Sequence, residues 1–221
     1  MNLKSPVSLR LVAASLFAVI VVAFAVPALS MAATPAPRVP PVLKGAVGGK
    51  TTDKNKTLEL VYGDDHVFGI VVPKGWVLDD TSGLGSRIRV VLYPKGQTWA
   101  KAPTVMYANP IHMPEHKHVS FETLIARDVA EFRKANPKGT VITAPQVTSA
   151  KGQRAQVRYF SPTGGKPLEA VAYFEQETLV QMIVLQARDA KGFADALPAY
   201  REMVGTYQFV GTGMQTPTGM K

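Results

Sequence analysis

The segment Leu179–Ala187 is dominated by apolar residues, and Met182, Ile183, Val184 and Leu185 follow one another without a break. In an extended strand successive side chains point to opposite faces, so this run is apolar both above and below. Such a strand has to be central in a sheet and covered on both sides. Its neighbours in sequence are joined to it by short turns. Gln176-Glu177 connects it to a β segment at 169–175, and Ser161-Pro162-Thr163-Gly164-Gly165 connects that segment to another at 154–160. Connections this short make the segments antiparallel neighbours.

The rest of the chain supplies the covering layers. Further strands are expected at 57–62, 67–72, 87–93, 104–108 and 140–149, each bounded by Gly, Pro, Asn or Asp. In 87–93 the alternation places Ile88, Val90 and Leu92 on one face and Arg87, Arg89 and Val91 on the other. Asn109-Pro110 is expected to end 104–108. A helix is expected over 120–136, with Ser120 as its cap and Phe121, Leu124, Ile125, Val129 and Phe132 on one apolar face. A second helix carries Phe193, Leu197, Tyr200 and Val204. Pro198 is tolerated in a first turn only, which moves the expected start to Asp195 or Ala196. A short strand at 207–209 follows. Tyr159, Phe160, Tyr173 and Phe174 occupy both parities of adjacent strands and are expected to serve cores on both sides of one curved sheet. The fold class is α+β: an α/β/α sandwich around a central, mainly antiparallel sheet, formed by one domain over 57–210.

The N-terminus reads as an export signal. Lys4 and Arg10 precede an apolar run over 11–26, broken only by Ser15, and Pro27-Ala28-Leu29-Ser30 offers small residues for cleavage near 30 or 32. The competing reading is an uncleaved anchor over 11–29, close to the roughly 20 residues a spanning helix needs. Either way the domain lies beyond the inner membrane, periplasmic or secreted, with membrane contact only through the signal or the anchor. Residues 31–56 are rich in Pro and Gly and read as a flexible linker, and 211–221 as a frayed tail.

The chain has no cysteine, which excludes disulfides, thiolate nucleophiles and thiolate metal sites. Its formal net charge is +9, and removing a leader that holds two basic and no acidic residues leaves +7. The basic residues read as scattered, with the densest groups at Lys50-Lys54-Lys56 and Lys134-Lys138. A nucleic-acid site pairs a concentrated basic stripe with aromatics or a reading helix. Neither is visible, so nucleic acid is not among the expected partners.

Phe68-Gly69-Ile70-Val71-Val72-Pro73-Lys74-Gly75-Trp76 resembles the early "apolar strand, Pro, Gly, Trp" element of Mog1/PsbP-like proteins. Residues 178–209 resemble that family's ending, in which a buried strand leads to a helix with a Pro near its start and then to an aromatic-containing strand. The resemblance covers about residues 57 to 210 and implies the same sandwich. Members are mostly accessory or binding proteins: photosystem subunits, a nuclear transport factor and exported bacterial proteins. No binding residue is carried over, because no functional motif of those branches occurs here.

The sharpest local feature is Ile111-His112-Met113-Pro114-Glu115-His116-Lys117-His118. His112, His116 and His118 with Glu115 offer ligands for zinc, and Met113 would suit copper. A solvated loop explains the same residues without a metal, so no cofactor is the first expectation and zinc or copper the alternative. His66, beside Asp64 and Asp65, offers a further ligand across space. Gly45-Ala46-Val47-Gly48-Gly49-Lys50-Thr51 is one residue short of a phosphate loop and has no strand before it. There is no Gly-x-Ser-x-Gly elbow or His-Glu-x-x-His helix. Ser82, Ser86 and Ser149 sit in turn-like contexts, and Glu169, Glu175 and Glu177 read as the wet face of a sheet. Trp99, in a turn-rich segment, and Trp76, after the first Pro-Gly turn, are the candidate ligand or partner contacts. Together these features read as a non-enzymatic, exported accessory or binding module whose partner is an envelope protein or cell-surface component. The alternative is a periplasmic metal-binding protein, or a metal-dependent enzyme, using His112, His116 and His118.

Overall fold

The computed structural model describes residues 57–113 and 119–213. In chain order they form β1 (Leu58–Tyr62), β2 (His66–Val71), β3 (Trp76–Asp79), β4 (Val90–Pro94), β5 (Thr104–His112), α1 (Phe121–Ala135), β6 (Thr140–Thr148), β7 (Arg154–Ser161), β8 (Glu169–Glu175), β9 (Leu179–Ala187), α2 (Ala190–Thr206) and β10 (Gln208–Thr212). The main sheet runs β3-β4-β5-β9-β8-β7-β6, with every neighbouring pair antiparallel. β9 is its middle strand and is buried along its whole length. The apolar run at Met182–Leu185 dictates that position.

Alternation sorts the two cores. In β8, Ala170, Ala172 and Phe174 face α2, while Val171 and Tyr173 face α1. The α2 face is lined with small residues, among them Ala108, Ala144, Ala155, Ala170, Ala172 and Ala187. They let the helix lie close to the sheet, where the Tyr200 hydroxyl donates to the Ile183 carbonyl at 3.0 Å. The α1 face is bulkier, and Phe121, Leu124 and Ile125 of the helix meet Tyr107, Tyr173 and Met182. The Ser120 hydroxyl caps α1 by accepting from the Thr123 amide at 3.2 Å.

Four details differ from the sequence expectation. The strands do not form one sheet: β1, β2 and β10 make a separate three-stranded sheet that packs over α2. Pro73 and a left-handed Gly75 (φ 84°) turn the chain away after β2, so β3 does not return alongside it. Residues 87–89 are not strand. A 3-10 turn at Leu84–Ser86 ends on Arg87 in the left-handed region (φ 60°). That turn sends Ile88 to the α1 core with Val91, whereas Val90 and Leu92 face α2.

Asn109-Pro110 does not end β5, which continues to His112 against β9. β4 pairs only as far as Ala108, so beyond it β5 has one free edge, where a missing N–H disrupts no ladder. Finally, α2 begins at Ala190, capped by Asp189, whose carboxylate accepts from the Gly192 amide at 2.7 Å. Pro198 is therefore internal. It lies on the exposed side with Ala194, the residue whose carbonyl it leaves without an amide, so water can satisfy that group.

Candidate functional site

The extension of β5 carries His112 to the β1–β2 turn. There Asp65 lies between two imidazoles, with Oδ1 3.0 Å from His66 Nδ1 and Oδ2 3.4 Å from His112 Nδ1. The rings are 6.1 Å apart, edge to face. His66 is 1% exposed and stacks on Phe68. Its Nε2 is buried without a partner and lies against Gly63, where an added Cβ would stand 2.8 Å from it. Among the described residues no group of three or more His, Asp or Glu is arranged to hold a metal ion. Glu115, His116 and His118 lie outside the described residues.

The two tryptophans lie on opposite faces of the main sheet. Trp76 is half-buried against the α2 core, and Trp99 is half-buried against the α1 core, edge-on to Tyr107 at 6.2 Å. The structure does not bring them into one site. The serines serve turns. Ser82 donates to the Asp79 carboxylate at 2.6 Å, and Ser149 accepts from the Gln153 amide at 3.3 Å.

Glu169 departs from the wet face expected of it, because it shares the α1 face of β8 with Val171 and Tyr173; Glu175, at the end of the strand, and Glu177, in the turn after it, are exposed. The register sets Glu169 opposite Gln186, whose amide donates to its Oε2 at 3.3 Å. Nearby, the Tyr173 hydroxyl donates to Asp128 of α1. Burial raises the Glu169 carboxyl to about 8; the Asp128 charge adds to this, and the Gln186 amide opposes it. Burial and the same two carboxylates push the Tyr107 and Tyr173 phenols upward. Two of these groups are hydrogen-bonded, Glu169 to Gln186 and Tyr173 to Asp128, while the Tyr107 hydroxyl is buried without a partner.

A fourth region is open. β6 is the outermost strand of the sheet and is exposed along most of its nine residues. A bulge between Ala144 and Val147 pushes Pro145 and Gln146 outward. Beside it, a groove of about 210 Å³ has a floor of Val147, Val157 and Val204 and a rim of Tyr159 and Arg201. Arg201 donates to the Tyr159 hydroxyl at 3.2 Å. Ile142, 51% exposed, pairs in register with Tyr159 and so continues the apolar floor. The sequence held a signal for this region that reading the basic residues as scattered overlooks. Residues 132–168 contain seven Lys and Arg and no Asp or Glu, which accounts for most of the formal +9.

No family model matches the chain, and no curated protein matches it in sequence. Among solved structures it is similar to a cyanobacterial PsbP (CyanoP) from Synechocystis, with 11% identity and a TM-score of 0.46 over 75% of this chain and 100% of that one. It is also similar to a Mog1 variant, with 13% identity and a TM-score of 0.43 over 70% of this chain and 95% of that one. Both likenesses concern the fold, and no residue's role is taken from either.

Proposed function

We propose that the protein is an exported, non-enzymatic binding module of the cell envelope, and that its partner docks along β6 and the adjoining groove. One observation carries this reading: β6 is a long edge strand without a single charged residue. A bare edge is a template for pairing with another chain, and proteins ordinarily guard it with charges or cover it. Here Pro145 and the bulge interrupt the edge only in its second half, leaving residues 140–144 open beside an apolar groove. Export rests on the basic, apolar and small-residue pattern of residues 1–32. No helix among the described residues is long and apolar enough to cross a membrane.

A photo-crosslinking residue at position 142 in native host cells is expected to capture an envelope component, while one at exposed Lys95 captures none. The mature protein is expected to start after residue 30 or 32, read from its intact mass. Equal capture at both positions, or turnover of ester, peptide or glycan substrates by the purified protein, would refute the reading.

The second reading, metal binding at the histidine segment, is favoured by the juxtaposition of His66 and His112 on Asp65. Protein purified without an affinity tag is expected to carry less than about 0.1 equivalent of zinc or copper, far below the whole-number occupancy of a built site. Stoichiometric metal that is lost when His112, His116 and His118 are replaced by Ala would make the metal reading the correct one.

A further inference from the structure

From the charge around β6 we infer the chemistry of the partner: an acidic, extended polypeptide segment that adds to the seven-stranded sheet as an eighth strand. The inference rests on the binding reading above and goes beyond it in naming what binds. In strand addition the main-chain groups of the edge supply hydrogen bonds, and alternate side chains of the incoming strand decide specificity. Residues 140–144 supply such an edge, with Ile142 and the groove on the α2 face ready for an apolar side chain.

The surroundings select for negative charge. Arg133 and Lys134 end α1, Lys138 precedes β6, Lys151 lies in the β6–β7 turn, and Arg154 and Arg158 lie on β7. They lie at the end of α1, on β7 and on the connections beside one edge of the sheet, and residues 132–168 contribute no carboxylate. Arg201 adds a guanidinium at the rim of the groove. A neutral strand among cations attracts an acidic chain over several ångströms and then offers it a backbone ladder. A second copy of this chain fits poorly, because pairing β6 with β6 would bring two cationic edges together. A nucleic acid or an anionic membrane would use the cations but not the ladder, and the cations ring a strand instead of forming a flat field with stacking aromatics.

The test uses a fluorescein-labelled peptide of alternating glutamate and valine, with a lysine–valine peptide as control. The acidic peptide is expected to bind in low salt, and the amides of residues 140–144 are expected to exchange about tenfold more slowly in its presence. The double variant Arg154→Glu, Arg158→Glu is expected to weaken binding about tenfold. Ile142→Lys separates strand addition from simple ion pairing: it adds a cation yet blocks the apolar floor and guards the edge, so binding should fall about fivefold or more. If Ile142→Lys tightens binding, if the peptide binds without protecting 140–144, or if duplex DNA or phosphatidylglycerol vesicles displace it at equal charge, the inference is overturned. Should the peptide fail while crosslinking at position 142 succeeds, the surface stands and only the partner's chemistry is wrong. If both fail, the binding reading goes as well.

Discussion

Glu169→Gln is expected to stabilise the domain at pH 8 and to remove a decline in stability that the parent shows between about pH 4.5 and pH 8. The folded carboxyl titrates near 8, against an ordinary value of 4.5. Between those values the unfolded chain has released the proton and the folded chain still holds it. The folded state therefore binds more protons, and unfolding becomes easier as pH rises through this window. Above pH 8 both states are ionised and the loss is complete. A shift of this size corresponds to a loss on the order of 3 kcal/mol after allowing for the carboxyl's partial contact with water. Glutamine cannot ionise, and its carbonyl can still accept from Gln186. In a domain of this length the variant should melt roughly 6–12 °C above the parent at pH 8 and close to it at pH 4.5. Thermal unfolding at both pH values decides the matter. A parent equally stable at both, with no gain from the variant, would show that Glu169 is well solvated.

Ala172→Leu is expected to cost about 3 kcal/mol, because it overfills a contact between α2 and the sheet that is lined with alanines. Ala172 is fully buried on the α2 face of β8, in register with Val157 on one side and Ile183 on the other. Tyr200 sits over this position with its hydroxyl on the Ile183 carbonyl. The three added carbons would have to displace Tyr200 and break that bond, or lift α2 from the sheet. Urea unfolding measures the cost, and a loss below about 1 kcal/mol would mean that the helix rides higher than the structure shows.

The parts of this fold legible in the sequence were those with a strict period or a cap. The apolar run at Met182–Leu185 could only be central, Ser120 could only begin a helix, and β7 and β8 alternate as their aromatics require. Misread positions are those where a neighbour overrides a local rule. Pro110 extends a strand because β4 has already stopped, and Pro198 sits inside a helix because that side of α2 faces water. Glu169 reads as exposed because it is charged and begins a strand, yet α1 and Gln186 enclose it, and neither is adjacent in the chain. The groove depends on a bulge and on the approach of Arg201 to Tyr159, pairings between residues far apart in sequence. Its charge was legible all along, as a gap in the acidic residues and not as a cluster of basic ones.

β2 is held on one side by β1, its immediate neighbour in the chain, and on the other by β10, which follows every other described element. A nascent chain therefore keeps one flank of β2 bare, and the small sheet over α2 unfinished, until β10 emerges. Contacts that span so much of the chain close slowly. That delay would suit the export proposed above, which needs a chain that stays threadable until it has passed through a translocation pore.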